Sequence, residues 1–395
     1  MSIDMFYIKI TMMYLKYVRT HTKGLKLNKM AFHIKTFLTV MAIVMSITLL
    51  KTQTTYAWGG RGHDSICESA VFLVKNKNLK EFLINKPQMM GHLCNIPDIY
   101  WKSLPMELRR HGDSGHYIDP EVLGLAVKDI PTDYKSIVEK YTNSENKEKS
   151  NAKIFSVPLE FGSSWWRADQ MYRIAIEKGL ELKKLKAPSN GKEDQDEELP
   201  FNKTFYQMIT AMGLMGHFVG DDSQPFHTTS DYDGYAANHG GIHAYYEDSC
   251  VSYFGADLHD RIYKKALKLK NTSFLKPATT IDKMKALAEI STKEIKDVLK
   301  VDPITAQSTI KLEHGMSLKI PAQRKPAEVG FKAFEKMQVE QMARSAILLA
   351  QLWDEVYDKA GNPEMKAYKS YKYPLTVDFI MPDYYDTKAE DTKKK

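Results

Sequence analysis

Between residues 217 and 247 the chain carries His217, Asp221, His227, His243 and Glu247. His217 and Asp221 stand four apart, and so do His243 and Glu247. Side chains at i and i+4 share one face of a helix, so each pair can direct two ligand atoms at one metal ion. Imidazole and carboxylate donors together suit zinc in a catalytic site, where one coordination position is kept for water. A single His-x-x-x-Asp on a helix is more often a hydrogen-bonded surface or core pair. Two such pairs, joined by a turn holding Pro225 and a third His, make metal binding the better reading in a chain with 12 His.

Ligands at helical spacing need helices to hold them. Apolar residues recur near the 3.6 period over 66–75, 165–185, 203–218 and 284–300, and no convincing alternating strand interrupts them. The clearest stripe lies in 326–360, where Val339, Met342, Ala346, Leu349, Trp353 and Val356 follow at steps of three and four. Pro326 opens that segment and Gly361 and Pro363 follow it, as helix ends require. Gly213, Gly216 and Gly220 would let the helix bearing His217 pack closely against a neighbour. Trp165 and Trp166 read as core. The fold class expected is all-α, in one domain over 58–361. Segments 129–152 and 186–200, both ending in charge-rich runs, read as surface insertions. Residues 362–395 form a Tyr- and Lys-rich C-terminal tail, expected to be disordered at its end. There is no internal repeat and no glycine-rich phosphate loop.

Residues 37–50 are one uncharged apolar run between Lys35 and Lys51, short for a membrane span and suited to a signal-peptide core. Thr55-Tyr56-Ala57 supplies small residues at the −3 and −1 positions of a cleavage site, so 1–57 reads as a signal peptide and Trp58 as the first mature residue. Met30 is an alternative start, and an uncleaved anchor is an alternative fate. The protein is therefore expected to be exported, periplasmic or secreted. Residues 1–57 hold eight Lys/Arg and one Asp, which accounts for the whole net charge of +7. The remainder is balanced, so overall charge gives no argument for nucleic acid. Cys67, Cys94 and Cys250 are an odd set for an exported chain. They read as buried packing thiols, or one bridge and a free thiol, and not as metal ligands.

Further candidate ligands lie upstream: Trp58 and His63 in Trp-Gly-Gly-Arg-Gly-His, Asp98 in Asn-Ile-Pro-Asp, and His116 in Gly-His-Tyr-Ile-Asp-Pro. With these the chain resembles the S1/P1 nuclease and zinc-dependent phospholipase C superfamily over most of 58–358, and all nine ligand positions are filled in order. The resemblance implies a helical domain with a trinuclear zinc cleft. One zinc would take Asp98, His116, His217 and Asp221. A second would take the Trp58 amine and carbonyl, His63 and the shared Asp221, and a third His227, His243 and Glu247. It further implies hydrolysis of phosphoesters by a metal-bound hydroxide, with Asp98 and Asp221 central to catalysis. An α-amine exists at Trp58 only after cleavage, so export would also be an activation step.

The substrate signals divide. The Trp-x4-His spacing resembles the nuclease branch, in which Tyr117 would stack on a base and Asp119 would bond its edge. This makes single-stranded nucleic acid, with 3′-nucleotidase activity, the leading substrate. The 16-residue step from His227 to His243 and the sequences Ile-His-Ala-Tyr-Tyr-Glu and Gln-Leu-Trp-Asp-Glu-Val-Tyr look more like phospholipase C, with a phospholipid surface as partner. Where nucleases often carry Arg or Lys three residues after the Asp, this chain has Trp101, with Lys102 beside it. A non-catalytic zinc-binding surface protein is the alternative from outside the enzymes. No obligate protein partner is evident.

Overall fold

The computed structural model describes residues 58–313, 316–366, 368–369 and 376–392. The expected signal peptide lies outside the described residues. These are mostly helical, as expected. The long helices are α1 (Gly59–Leu73), α2 (Pro87–Ile99), α3 (Ser164–Leu182), α4 (Pro200–Asp222), α5 (Leu258–Ala266), α6 (Thr280–Val301) and α7 (Ala327–Lys359). Among the described residues no helix is long and apolar enough to cross a membrane.

Helix α4 is the centre of the packing. From Met208 to Asp222 every residue is buried, because Met, Ile, Leu, Phe and Val occupy all sides and not one stripe. Helices α3, α2, α7, α1 and α6 surround it. Gly213 and Gly216 set how near they come. A Cβ at Gly213 would stand 2.3 Å from Leu93 Cβ of α2, and one at Gly216 would stand 2.3 Å from Cys67 Sγ of α1. Cys67, Cys94 and Cys250 are all free and buried; the first two fill the seam that Gly216 opens.

Helix α7 runs over the expected segment. Met342, Ala346, Leu349, Trp353 and Val356 are buried, and Val339 is half-buried at the edge of the stripe. Two side chains fasten it to α4: Trp353 Nε1 donates to Met212 O at 2.8 Å, and Ser345 Oγ to Val219 O at 2.9 Å.

Three features depart from the sequence reading. Two small antiparallel pairs join the helices: β1 (Ile304–Ala306) with β4 (Gln323–Arg324), and β2 (Thr309–Glu313) with β3 (Met316–Ile320). β2 and β3 each alternate polar and apolar residues, but over only five exposed positions, a run too short to stand out beside the long helical segments. The segment 129–152 is only partly a surface insertion. Ile130, Tyr134 and Ile137 are buried, and the Tyr134 ring meets Phe161, Trp166, Tyr384 and Tyr385. Its charged second half hid this anchor. The tail packs on the body over its described part. Trp101 Nε1 donates to Val377 O at 2.9 Å, Gln170 Nε2 to Met381 O at 2.7 Å, and Arg173 grips Asp383. Thr387–Thr392 is helical, and Ser156 Oγ donates to Glu390 at 2.6 Å.

Truncating a buried aromatic at the α4–α7 seam removes contacts that the surrounding helices cannot refill. Trp353→Ala is expected to destabilise the protein by about 3–5 kcal/mol, read as a lower denaturation midpoint in urea; a loss well under about 1 kcal/mol would mean that α7 is not fastened there.

Candidate metal centre

Eight of the nine residues singled out as ligands bring side chains into one buried region at the C-terminal end of α4. Helix α1 supplies His63 and the last turn of α2 supplies Asp98. His116 comes from the loop after the helix Met106–Asp113. Helix α4 supplies His217 and Asp221, and the 3₁₀ turn Pro225–His227 that follows it supplies His227. His243 lies in the short helix Ile242–Ala244, which widens into a π-helical turn, Tyr245–Ser249, holding Glu247. Such turns are rare and recur at functional sites. Gly220 makes the approach of α1 possible, since a Cβ there would fall 2.8 Å from His63 Nδ1.

Three triads have their ligand atoms within 4.8 Å of one another: His63, Asp98 and His217; His116, His217 and Asp221; and His227, His243 and Glu247. Asp221 meets imidazoles with both of its oxygens. Its Oδ2 lies 3.0 Å from His116 Nδ1 and 3.4 Å from His217 Nε2, while Oδ1 lies 3.3 Å from His63 Nε2. The third triad is tight, with His243 Nε2 2.8 Å from Glu247 Oε2 and 3.2 Å from His227 Nε2.

The rings are aimed by partners on their other sides. His217 Nδ1 meets Cys94 O at 2.7 Å and His227 Nδ1 meets His116 O at 2.6 Å, which turns each Nε2 inward. Gln224 Nε2 donates to Glu247 Oε2 at 2.7 Å. Trp165 Nε1 donates to Asp222 Oδ1 at 2.9 Å, fixing the turn after Asp221. Lys102 reaches back one helical turn, with Nζ 2.6 Å from Asp98 Oδ1. The cation beside the expected position thus meets the carboxylate directly, while Trp101 is core, edge-on to Phe379.

Trp58 differs from the other eight. Its indole donates to Gly220 O at 2.9 Å and Ser223 Oγ at 3.2 Å, and its carbonyl accepts from Gly62 N at 3.0 Å. Its main-chain nitrogen is joined to Ala57, so the amine implied by the resemblance exists only in a chain cut before Trp58. The indole bonds tie the start of α1 to the turn bearing Asp221, a role that sequence reading missed.

The donor set fits cations. His63 Nδ1, Asp98 Oδ2 and Glu247 Oε1 are buried without a hydrogen-bond partner among the described residues, which is rare unless something else satisfies them. Burial pushes His63 down to about 4 and His116 and His217 well below the usual imidazole range. All three are then neutral at physiological pH, the form that binds metal. Burial also drives Asp221 well above the carboxylate range. For Glu247 burial acts the same way, but His243 and His227 outweigh it and hold the carboxyl down to about 2.

Tyr117 and Asp119 flank the centre beside His116. Tyr117 is half-buried, its hydroxyl donates to Leu159 O at 2.8 Å, and its ring lies against Gly162. Asp119 is half-buried too, and burial, then Glu121 and Glu148, push its carboxyl well up. His239 is engaged by Asp302. Its Nδ1 meets Asp302 Oδ2 at 2.7 Å, and Arg324 Nε meets Asp302 Oδ1 at 2.9 Å, a clamp with no sequence signal.

No protein-family model matches this chain, and no curated protein matches it. Gln224 provides a test independent of any relative. Gln224→Ala is expected to weaken metal retention about tenfold in a competition titration against a chelator, with the helical circular-dichroism signal unchanged; undiminished retention would mean that the Gln224–Glu247 bond does not support a bound ion.

Proposed function

We propose that this protein is an exported zinc-dependent phosphoester hydrolase. The observation that carries the proposal is the Asp221 carboxylate, whose Oδ2 faces His116 and His217 and whose Oδ1 faces His63, inside a buried cluster of eight ligand-type side chains. Zinc ions bound there would supply Lewis acidity, activating a water and neutralising charge on the phosphoryl oxygens. Three ions are proposed, one for each expected ligand set, with the third on His227, His243 and Glu247. The remaining work falls to the chain's own groups. Asp98 Oδ2, free of hydrogen bonds, is the atom proposed to take a proton from the attacking water. Lys102, held on the other oxygen, keeps that carboxylate aimed. His217 and His227, each fixed through Nδ1, keep the ligand geometry rigid as charge develops. Removal of 1–57 would free the Trp58 amine to complete the site.

For the substrate, Tyr117 and Asp119 beside His116 favour a nucleotide or single-stranded nucleic acid, held by stacking and one contact to the base edge. A specific observation favours the second reading, a phospholipid. Leu159, whose carbonyl accepts from the Tyr117 hydroxyl, and Tyr232, edge-on to His243, are exposed apolar residues at these positions.

The test is hydrolysis of single-stranded RNA, a 3′-mononucleotide and phosphatidylcholine micelles by chelator-treated and zinc-reloaded protein. Zinc-restored turnover is expected, and Asp98→Asn should lower kcat by about 100-fold or more. Tyr117→Ala should raise KM for the nucleotides alone if the first substrate reading holds. Zinc retention with no turnover of any substrate would overturn the enzyme reading in favour of a metal-binding surface protein.

A further inference from the structure

The β2–β3 ribbon carries a concentration of exposed apolar side chains. Leu312 is 75% exposed and Met316 71%, and Ile310, Leu318 and Ile320 are exposed as well. The register shows how they are distributed. Ile310 pairs with Lys319 and Leu312 with Ser317, so Ile310 and Leu312 lie on one face. Thr309 pairs with Ile320, Lys311 with Leu318 and Glu313 with Met316, so Ile320, Leu318 and Met316 lie on the other. An antiparallel pair built to pack on a body is apolar on one face and polar on the other. This ribbon is apolar on both.

That distribution selects among partners. A flat protein surface covers one face and leaves the other in water. A fluid apolar boundary receives both faces at once. Lys311 gives the face of Met316, Leu318 and Ile320 an ammonium on a long stem, able to reach anionic headgroups while the neighbouring apolar groups sit lower, with Glu313 at the far end of the same face. On the other face Lys319 stands over the Tyr235 ring, 4.9 Å from its centroid, beside the ribbon's base. The unpaired strand edges limit immersion to the interfacial zone, since backbone groups cannot be left dry in the hydrocarbon.

The ribbon's base is fastened to the metal centre. Ser308 N donates to Asn238 O at 3.0 Å, Gly240 N to Ser308 Oγ at 2.8 Å, and Ala322 N to Gly240 O at 2.9 Å. Arg324 binds the carbonyls of His239 and Gly240 as well as Asp302. The loop so held leads directly into His243. We propose that the β2–β3 ribbon is an arm that seats the protein on an anionic lipid surface, on the side of the molecule bearing the third triad. The proposal does not rest on the choice of phosphoester substrate.

The test uses the full chain with an environment-sensitive dye at Leu312→Cys, and a second chain labelled at Lys184→Cys, an exposed position after α3. The three native thiols are buried and do not compete for label. Vesicles of phosphatidylcholine with phosphatidylglycerol, brominated in the acyl chains, should quench the label at 312 and leave that at 184 bright. Phosphatidylcholine alone should quench 312 less. Met316→Ser with Leu318→Ser should shift half-maximal quenching at 312 to about tenfold more lipid. The local readout separates the arm from any attachment through residues 37–50. Absent quenching at 312, or equal quenching at both sites, would overturn the proposal. So would a concentration-dependent blue shift at 312 without vesicles, which would identify the ribbon as a contact between copies.

Discussion

Three carboxylates, Asp98, Asp221 and Glu247, lie almost wholly out of water at one point of the protein. Burying a carboxylate is costly unless it is paired and hydrogen-bonded. The surrounding imidazoles do little to neutralise them, because burial favours their uncharged form at the three positions nearest Asp221. Lys102 compensates Asp98, while Gln224 and two imidazoles steady Glu247. Asp221 has no cation of its own. The structure around it makes sense as a mould that gathers buried ligand atoms where a divalent ion would displace the proton that burial favours on Asp221.

The mould is made by an ordinary packing rule applied without exception. Because α4 is apolar on every side, helices must cover it all round, and each covering helix arrives with its own contribution to the centre. Helix α1 brings His63 over Gly220, and α2 brings Asp98 and the carbonyl of Cys94 that aims His217. The buried glycines are therefore functional through distance. A methyl group at Gly216 would lever both helices away, and the ligand atoms with them.

Helix periodicity made most of the scaffold readable, and the i,i+4 pairs made His217–Asp221 and His243–Glu247 visible before any geometry. What escaped the sequence depends on partners far away in the chain. The clamp joins Asp302 to His239, 63 positions earlier, and the tail's order comes from Arg167, Gln170 and Trp101 reaching residues near 380. The ribbon escaped for another reason. Its two strands do alternate, but each run is only five residues long and exposed on both faces, so no buried stripe marks it as part of the scaffold. Lys102 was noticed only as a neighbour of an unexpected Trp, because its value lies in reaching back one turn, not in pointing outward.

Contact between His116 and His217 spans 101 positions of sequence. No local segment can form the whole centre alone, and loop closure over such lengths is complete only once the helices have docked. The ligand set is thus a coincidence detector for folding: it exists when α1, α2, α4 and the π-helical turn are all in place, and dissolves when any one of them leaves. An ion bound there would see the native topology and nothing else, so its occupancy would count folded molecules as directly as any spectroscopic probe.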